Sequence, residues 1–406
     1  MRILLITHWF PPIVSGSSFY AKSLAEALGA RGHEVTIITL DWGEDPMLDS
    51  SLPFQIHRLR VVKVPRLPFF YNLKLMGFAF TSANRRRLIQ LIRQNRPHII
   101  HCVNHIFDTN FLAVSVGRTC GIPVVGSITT PVQHQNPWLQ KLYHWADVST
   151  IGWFGVRRWD GIVSLDQTVH RYVGRVYGTK VQKKSEVIPF GVRLESAPLY
   201  ENPSPRSSRP QILMVGHIHP FRNPTELIRA MPYVLKEVPD ARLILAGRVD
   251  LAEPLKVSQE LGLTKNQIEF LGEAEHSKTI HLMKTSHVFA SWVTGPYPSL
   301  GTAPMEAMLC ETPVICDVPE NLFGEGRLKD GENIVLVNSK DPQAIAKDLI
   351  RLLKSSALRE RIGRAGRRLI LESFSWEHIA EEMELFYKKF LEIPEERRPL
   401  LARVEV

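Results

Sequence analysis

The chain has 406 residues, 44% of them apolar and 22% charged, and a net charge of +9. It is too long for one ordinary core, implies two or three domains, and has the composition of neither a disordered nor a fibrous protein. No stretch approaches the roughly 20 apolar residues of a membrane span, and Cys102, Cys120, Cys310 and Cys316 lack the C-x-x-C spacing of a zinc ribbon or disulfide scaffold, so the expected home is reducing and cytoplasmic.

Residues 2–7 form an apolar run that reads as a buried first strand rather than a leader peptide. A loop from His8 to Ser18 follows, then a helix from Ser18 to Ala30 with Phe19, Leu24, Ala27 and Leu28 on one face. Gly32-His33 turns the chain into a strand over Glu34–Leu40, closing a βαβ unit. Strands over Pro97–Val103, Ile122–Ile128, Gly161–Leu165 and Glu186–Pro189 complete a first parallel sheet. Residues 198–210 carry four prolines and three serines and read as a linker. Immediately afterwards the pattern restarts: Ile212-Leu213-Met214-Val215-Gly216-His217 echoes Ile3-Leu4-Leu5-Ile6-Thr7-His8. Strands over Arg242–Ala246, Gln267–Leu271, Val288–Trp292, Pro313–Cys316 and Ile334–Val337 follow, with helices between them. The end is helical, over Pro342–Leu353, Ala357–Glu372 and Trp376–Phe390, the last with Ile379, Met383, Phe386 and Phe390 on one stripe.

The predicted organisation is therefore α/β: a Rossmann-like domain over 1–197, a linker over 198–210, a second Rossmann-like domain over 211–375, a crossover helix over 376–393 and a tail over 394–406. In open parallel sheets ligands lie beyond the carboxyl ends of the strands. Two such domains facing each other would put an active site in the cleft.

The charge is unevenly spread. Residues 1–200 carry a net +11 and the remainder −2; residues 50–107 contain ten bases and no acid. That segment is either a surface for an anionic partner or a solvated basic face. It holds Arg85-Arg86-Arg87 on a predicted helix, after the apolar and aromatic stretches Pro68–Tyr71 and Leu73–Phe80. Leu73–Phe80 is either a core helix or, with the bases, a peripheral contact with an anionic membrane. No nucleic-acid reader motif is present.

Three strand-to-helix loops carry candidate chemistry. Pro11 to Ser18 has small residues, including Gly16, before a helix N-terminus, and reads as a phosphate site or an ordinary capped turn. It matches neither G-x-G-x-x-G nor G-x-x-x-x-G-K-[ST]. Gly216 to Asn223 offers His217 and Arg222 beside a helix N-terminus; Arg222 either forks onto phosphate oxygens or pairs with a carboxylate. Thr294 to Met308 supplies backbone amides at Ser299, Leu300, Gly301, Thr302 and Ala303, with Pro304 in the first helical turn. Glu306, also expected in that turn, either accepts two hydroxyl hydrogen bonds or simply complements the helix dipole.

Together these residues resemble glycosyltransferase family 4, the retaining, nucleotide-sugar-dependent enzymes of GT-B fold. Phe10-Pro11-Pro12, Gly16, Leu24 to Leu28 and Gly32-His33-Glu34-Val35 are similar to that family's first βαβ unit. Val187 to Val192, Pro304 to Met308 with Glu311 to Ile315, Asp330 to Asn333 and Phe374-Ser375-Trp376 resemble its later motifs. The resemblance implies a nucleoside diphosphate sugar as donor, bound by the second domain, a glycan or lipid-linked acceptor, and no cofactor; no D-x-D metal motif is present. It implies C-terminal helices packing back toward the N-terminal domain. It puts the family's basic pair at His217 and Arg222, the histidine being only partly charged near neutral pH. Of the family's two glutamates, Glu306 matches the second, expected on a ribose, while the first falls on Pro298. A catalytically impaired sugar-nucleotide binder or partner subunit is the alternative that Pro298 suggests. Many members have a histidine near Thr129-Thr130; His134 substitutes for it only if its loop folds back. On this resemblance Arg222 and Glu306 are the catalytic candidates and His134 is an acceptor-side candidate; the basic segment itself suggests Arg85, Arg86 and Arg87 for the acceptor side.

Overall fold

Two stretches of alternating apolar strands and amphipathic helices build two separate parallel sheets in the computed structural model. The structure describes residues 1–43, 49, 52–64, 75, 77–134, 136–192, 205–293 and 295–391. The chain divides into two units, Met1–Gly191 together with the helix Trp376–Leu391, and Val192–Ser375.

The first unit contains β1 (Arg2–Thr7), α1 (Gly16–Ala30), β2 (Glu34–Asp41), β3 (Gln55–Arg60), β4 (Val62–Lys63), β5 (Gly77–Phe78), α2 (Ser82–Asn95), β6 (Ile99–Val103), α3 (Thr109–Cys120) and β7 (Val124–Ile128). After these come α4 (Pro137–Ala146), a π-helical segment (Asp147–Gly155), β8 (Gly161–Ser164), α5 (Gln167–Tyr177), α6 (Thr179–Gln182) and β9 (Ser185–Val187). Its sheet has the order β3-β2-β1-β6-β7-β8-β9, every pairing parallel, while β4 and β5 form a separate antiparallel pair. Strands 1, 6, 7 and 8 are buried over nearly their whole length, as expected where helices cover both faces of a sheet.

Several expectations need correction here. Helix α1 starts at Gly16 rather than Ser18, because Ser15 caps it by accepting the Ser18 N–H at 3.1 Å. Its inner face is Tyr20, Ala21, Leu24, Ala25 and Leu28, and Phe19 points to solvent, since small Ser17 and Ser18 take the inward positions of the first turn. Strand β3 was not expected; apart from Ile56 and Leu59, Gln55 to Arg60 is polar, which suits the sheet edge it occupies. In the apolar stretch Leu73–Phe80, residues 77–78 form β5 and Phe78 and Phe80 are exposed, so this part is not a core helix. Pro68–Tyr71, residues 198–204 of the expected linker and the tail 394–406 lie outside the described residues.

The second unit contains β10 (Gln211–Val215), α7 (Thr225–Glu237), β11 (Arg242–Ala246), α8 (Glu253–Glu260), β12 (Ile268–Gly272), α9 (His276–Thr285), β13 (Val288–Ser291) and α10 (Thr302–Leu309). It closes with β14 (Val314–Cys316), β15 (Val335–Leu336), α11 (Pro342–Lys354) and α12 (Ser356–Ser373); α13 is Trp376–Leu391. The sheet order is β12-β11-β10-β13-β14-β15, again parallel. In each sheet the order reverses beside the first strand, between β1 and β6 and between β10 and β13. These are topological switch points, where loops from neighbouring strands diverge and leave a crevice. All four cysteines are buried thiols.

Helix α13 packs on α1 through Ile379, Ala380, Met383, Phe386 and Tyr387, and Phe390 lies against the same core. A buried polar chain fastens it. Tyr387 Oη lies 2.5 Å from His101 Nδ1, His101 Nε2 lies 2.7 Å from Ser127 Oγ, and Ser127 Oγ lies 3.0 Å from Tyr20 Oη. Burial lowers the His101 imidazole to about 3, so it is neutral and offers one donor and one acceptor to this chain. Tyr387→Phe would strand one buried ring nitrogen, and we expect a loss of about 1–3 kcal/mol in urea unfolding, with α13 still folded by its apolar stripe.

Candidate functional site

The second switch point brings two of the predicted loops together. The loop after β10 turns tightly, with the Arg222 N–H donating to the His219 carbonyl at 2.7 Å. Asn223 stands just before Pro224, the N-cap of α7, its Oδ1 accepting the Thr225 N–H at 3.0 Å. The loop after β13 is tied to it: Trp292 Nε1 donates to the Asn223 carbonyl at 3.3 Å. Arg222 runs back beneath its own loop. A Cβ added to Gly216 would lie 2.2 Å from Arg222 Nη1, and one added to Gly301 would lie 3.9 Å from Nη2. The guanidinium therefore fills the space that a side chain at Gly216 would take and reaches van der Waals distance of Gly301; both glycines have positive backbone φ, 137° and 75°.

Gly301 is the N-cap of α10 and has no side chain to satisfy the first amides. Thr302 and Ala303 thus open a helix N-terminus whose free N–H groups and positive dipole end lie beside the guanidinium. Arg222 has no carboxylate within ion-pair distance among the described residues, and its Nε is buried with no hydrogen-bond partner. Among the described residues the carboxylate-pairing alternative finds no partner. Burial pulls the guanidinium below its ordinary pKa, although an arginine so perturbed keeps its charge. A partly desolvated cation beside uncapped amides is suited to hold an anion.

Glu306 is the fifth residue of α10, so it stands in the second turn, not the first as expected; the helix starts at Thr302 with Gly301 as cap. The dipole explanation of its presence weakens accordingly. Burial pushes its carboxyl up to about 7. His276, at the start of α9, places Nε2 at 3.8 Å from Oε1, a contact that is ionic only when the imidazole is protonated. Ser299 is half-buried, whereas the Leu300 side chain is in the core and only its backbone is available.

The other candidates fall differently. His217 turns outward, Nε2 2.6 Å from Asp250 Oδ2 and 3.1 Å from Arg248 Nη2, and is not brought against Arg222. Arg248 and His276 escaped the sequence reading; the first follows the carboxyl end of β11 directly, which is the signal that would have found it. Gly16 is the first residue of α1 in the first unit, with open space where a Cβ would lie. His134 Nδ1 accepts the Asn136 N–H at 2.9 Å, and its ring meets Tyr143 edge-on at 5.3 Å. Arg85 is held against α3 by Ser115 and Thr119, at 3.0 and 2.8 Å, leaving Arg86 and Arg87 as the exposed members of that triplet. Another base of that segment, Arg58, is committed to Asp49, at 2.7 and 2.8 Å.

Two family models cover most of the chain. Residues 14–196 match Glycosyltransferase Family 4, and residues 200–369 match Glycosyl transferases group 1. This chain belongs to glycosyltransferase family 4. It is 25% identical to an uncharacterised glycosyltransferase of Methanocaldococcus jannaschii, over 97% of this chain and 99% of that one. It is 26% identical to the phosphatidyl-myo-inositol mannosyltransferase of Mycobacterium leprae, over 96% of each. Among solved structures, HepE of Anabaena in complex with UDP and glucose superposes with a TM-score of 0.69 at 16% identity, covering 96% of this chain and all of that one. Sucrose-phosphate synthase of Thermosynechococcus elongatus gives 0.68 at 21% identity, covering 96% and 98%. The fold of this glycosyltransferase is thus the two-domain GT-B architecture.

Glu306 gives a pH signature. Its carboxyl holds a proton up to about 7 in the folded chain against 4.5 ordinarily, so the folded state binds more protons between those values. Stability contributed by the neutral acid is present below 4.5 and is lost as pH rises through 7, by up to about 3 kcal/mol. Glu306→Gln should therefore melt higher than the parent above about pH 8 and close to it near pH 4, as read by calorimetry across that range.

Proposed function

We propose that the second unit binds a nucleoside diphosphate sugar and that the chain transfers the sugar, with retention of configuration, to a glycan or lipid-linked acceptor bound by the first. The observation that carries this reading is the half-buried Arg222 side chain, its Nε buried and, among the described residues, without a counter-ion, beside the uncapped amides of α10. A diphosphate would supply the missing anion, and Glu306, about one turn further along the same helix, is suited to accept ribose hydroxyls. Gly16, at the start of α1, is the proposed donor contact from the first unit. The solved relative holding UDP and glucose supports the same donor class, and the mannosyltransferase relative supports a lipid-linked acceptor. In this reading the protein works in the cytoplasm.

As the glycosidic bond breaks, negative charge grows on the departing diphosphate. Arg222 and the amides of residues 299–303 would stabilise it without a metal, and the diphosphate can accept the acceptor's proton on the face from which it leaves. Pro298, which has no side-chain acceptor, favours one other reading, a partner subunit that binds the sugar nucleotide and transfers nothing.

Arg222→Ala should lower kcat by about 10²–10³ with an unchanged circular dichroism spectrum, the usual effect of removing one donor to developing charge. Gly216→Ala should weaken nucleoside diphosphate binding almost as much, although it keeps the arginine, because the added methyl displaces Nη1. Titration calorimetry against uridine and guanosine diphosphates, followed by a donor hydrolysis assay, checks both. Near-parental turnover in Arg222→Ala rejects the assignment. Tight nucleotide binding with no hydrolysis or transfer by the parent selects the partner-subunit reading.

A further inference from the structure

Three of the protein's eight tryptophans stand in solvent, and all three fall between residues 138 and 153. Trp138 is 69% exposed, Trp145 65% and Trp153 56%. Trp138, Leu142 and Trp145 follow at intervals of four and three and so share one face of α4, a helix that contributes no residue to the core. The helix is nevertheless well capped: Asn136 Oδ1 accepts the Trp138 N–H at 2.9 Å and the Leu139 N–H at 3.3 Å. The π-helical segment that continues it adds exposed Trp153 and Phe154. That segment is anchored from below by Asp147, whose buried carboxylate accepts hydrogen bonds from Tyr172 and, at 2.5 Å, from Tyr177. The aromatic face is thus held outward on an ordered support.

Its charge is one-sided. From Thr109 through Trp159 the only acid is the buried Asp147. The Arg157 guanidinium lies over the Trp153 ring at 6.0 Å and that of Arg158 over Phe154 at 5.7 Å, while exposed Lys141 sits between the α4 tryptophans. Indole rings with one polar edge, flanked by cations, suit the boundary between headgroups and acyl chains, and the cations suit anionic phosphates. A protein partner of mixed charge would need acids to pair with, and this face exposes none.

We propose that α4 and the π-helical segment form a docking face for an anionic lipid leaflet, with Trp138, Trp145 and Trp153 at headgroup depth and Lys141, Arg157 and Arg158 on the phosphates. The docking stands independently of the donor site. Its consequence for the acceptor rests on the function proposed above: α4 follows the carboxyl end of β7, where a parallel sheet receives its ligand, so the bilayer would deliver a lipid-linked acceptor there.

The test uses the full chain with vesicles of phosphatidylcholine alone and of phosphatidylcholine with phosphatidylglycerol, at low and high salt. The expected result is sedimentation with the anionic vesicles, reduced by salt, with a blue-shifted tryptophan emission. The combined variant W138S/W145S/W153S should lose at least about tenfold in partitioning while keeping the parental melting temperature and nucleoside diphosphate affinity. R157Q/R158Q should weaken binding to anionic vesicles, and Tyr233→Ser, an exposed aromatic on α7, should change nothing. A parent that stays in the supernatant, or a triple variant that binds as well as the parent, overturns the proposal. So does a parental dimer that the triple variant dissolves without any vesicle binding, which would make this face a contact between copies. Vesicle binding without nucleotide binding rejects the donor reading alone, and the converse rejects the docking alone.

Discussion

A guanidinium partly withdrawn from water and, among the described residues, given no counter-ion is the constraint on which the second unit's site depends. Desolvating a charge is expensive, and a protein that keeps one unpaired leaves its energy unbalanced until an anion arrives. Here the surrounding geometry serves that arrangement. Two strands diverge at the switch point, Gly216 with its positive φ leaves room for the arginine head, and α10 presents amides with no capping side chain. Each element has a local cost, and the three converge on one volume of space. That convergence, more than any single residue, distinguishes the site from an ordinary strand-to-helix loop.

The burial that works against the charge of Arg222 works against that of Glu306 too, but a carboxyl can escape it by taking up a proton. A carboxyl in the same helix is driven toward its neutral form, so the charge useful for holding hydroxyls is maintained at the expense of folding energy. Sites commonly hold such conflicts. The neighbouring His276 moderates this one only when it carries a proton.

The sheets were legible because fully buried parallel strands read as short apolar runs between turn signals, and most strand ends differ by only one or two residues. The echo of Ile3 to His8 in Ile212 to His217 gave the second unit directly. Strand β3 was illegible because an edge strand need not be apolar, and the inner face of α1 was misjudged because serines there pack more closely than Phe19 could. In the site, Arg222 was legible from its place after a strand, but its lack of a partner and the altered acidity of Glu306 arise from burial, which spacing does not encode. His217 matched a family position, yet its direction depends on Asp250, thirty-three residues away. The aromatic face of α4 left a signal that apolar counting overlooks: tryptophans recurring at helical intervals in a stretch nearly free of acids.

The helix Trp376–Leu391 completes the core of a unit from which it is separated in sequence by the whole of the other. The two passages of the chain run side by side, with the Val192 N–H donating to the Phe374 carbonyl at 2.7 Å and Val192 bridged to Ser375. The second unit is therefore an insertion whose ends are clamped together, and to the first it is a closed loop of nearly fixed entropy. A polypeptide ending at Ser375 would leave the first unit's core open where Ile379, Met383, Phe386 and Tyr387 pack, while the second unit would keep every one of its strands.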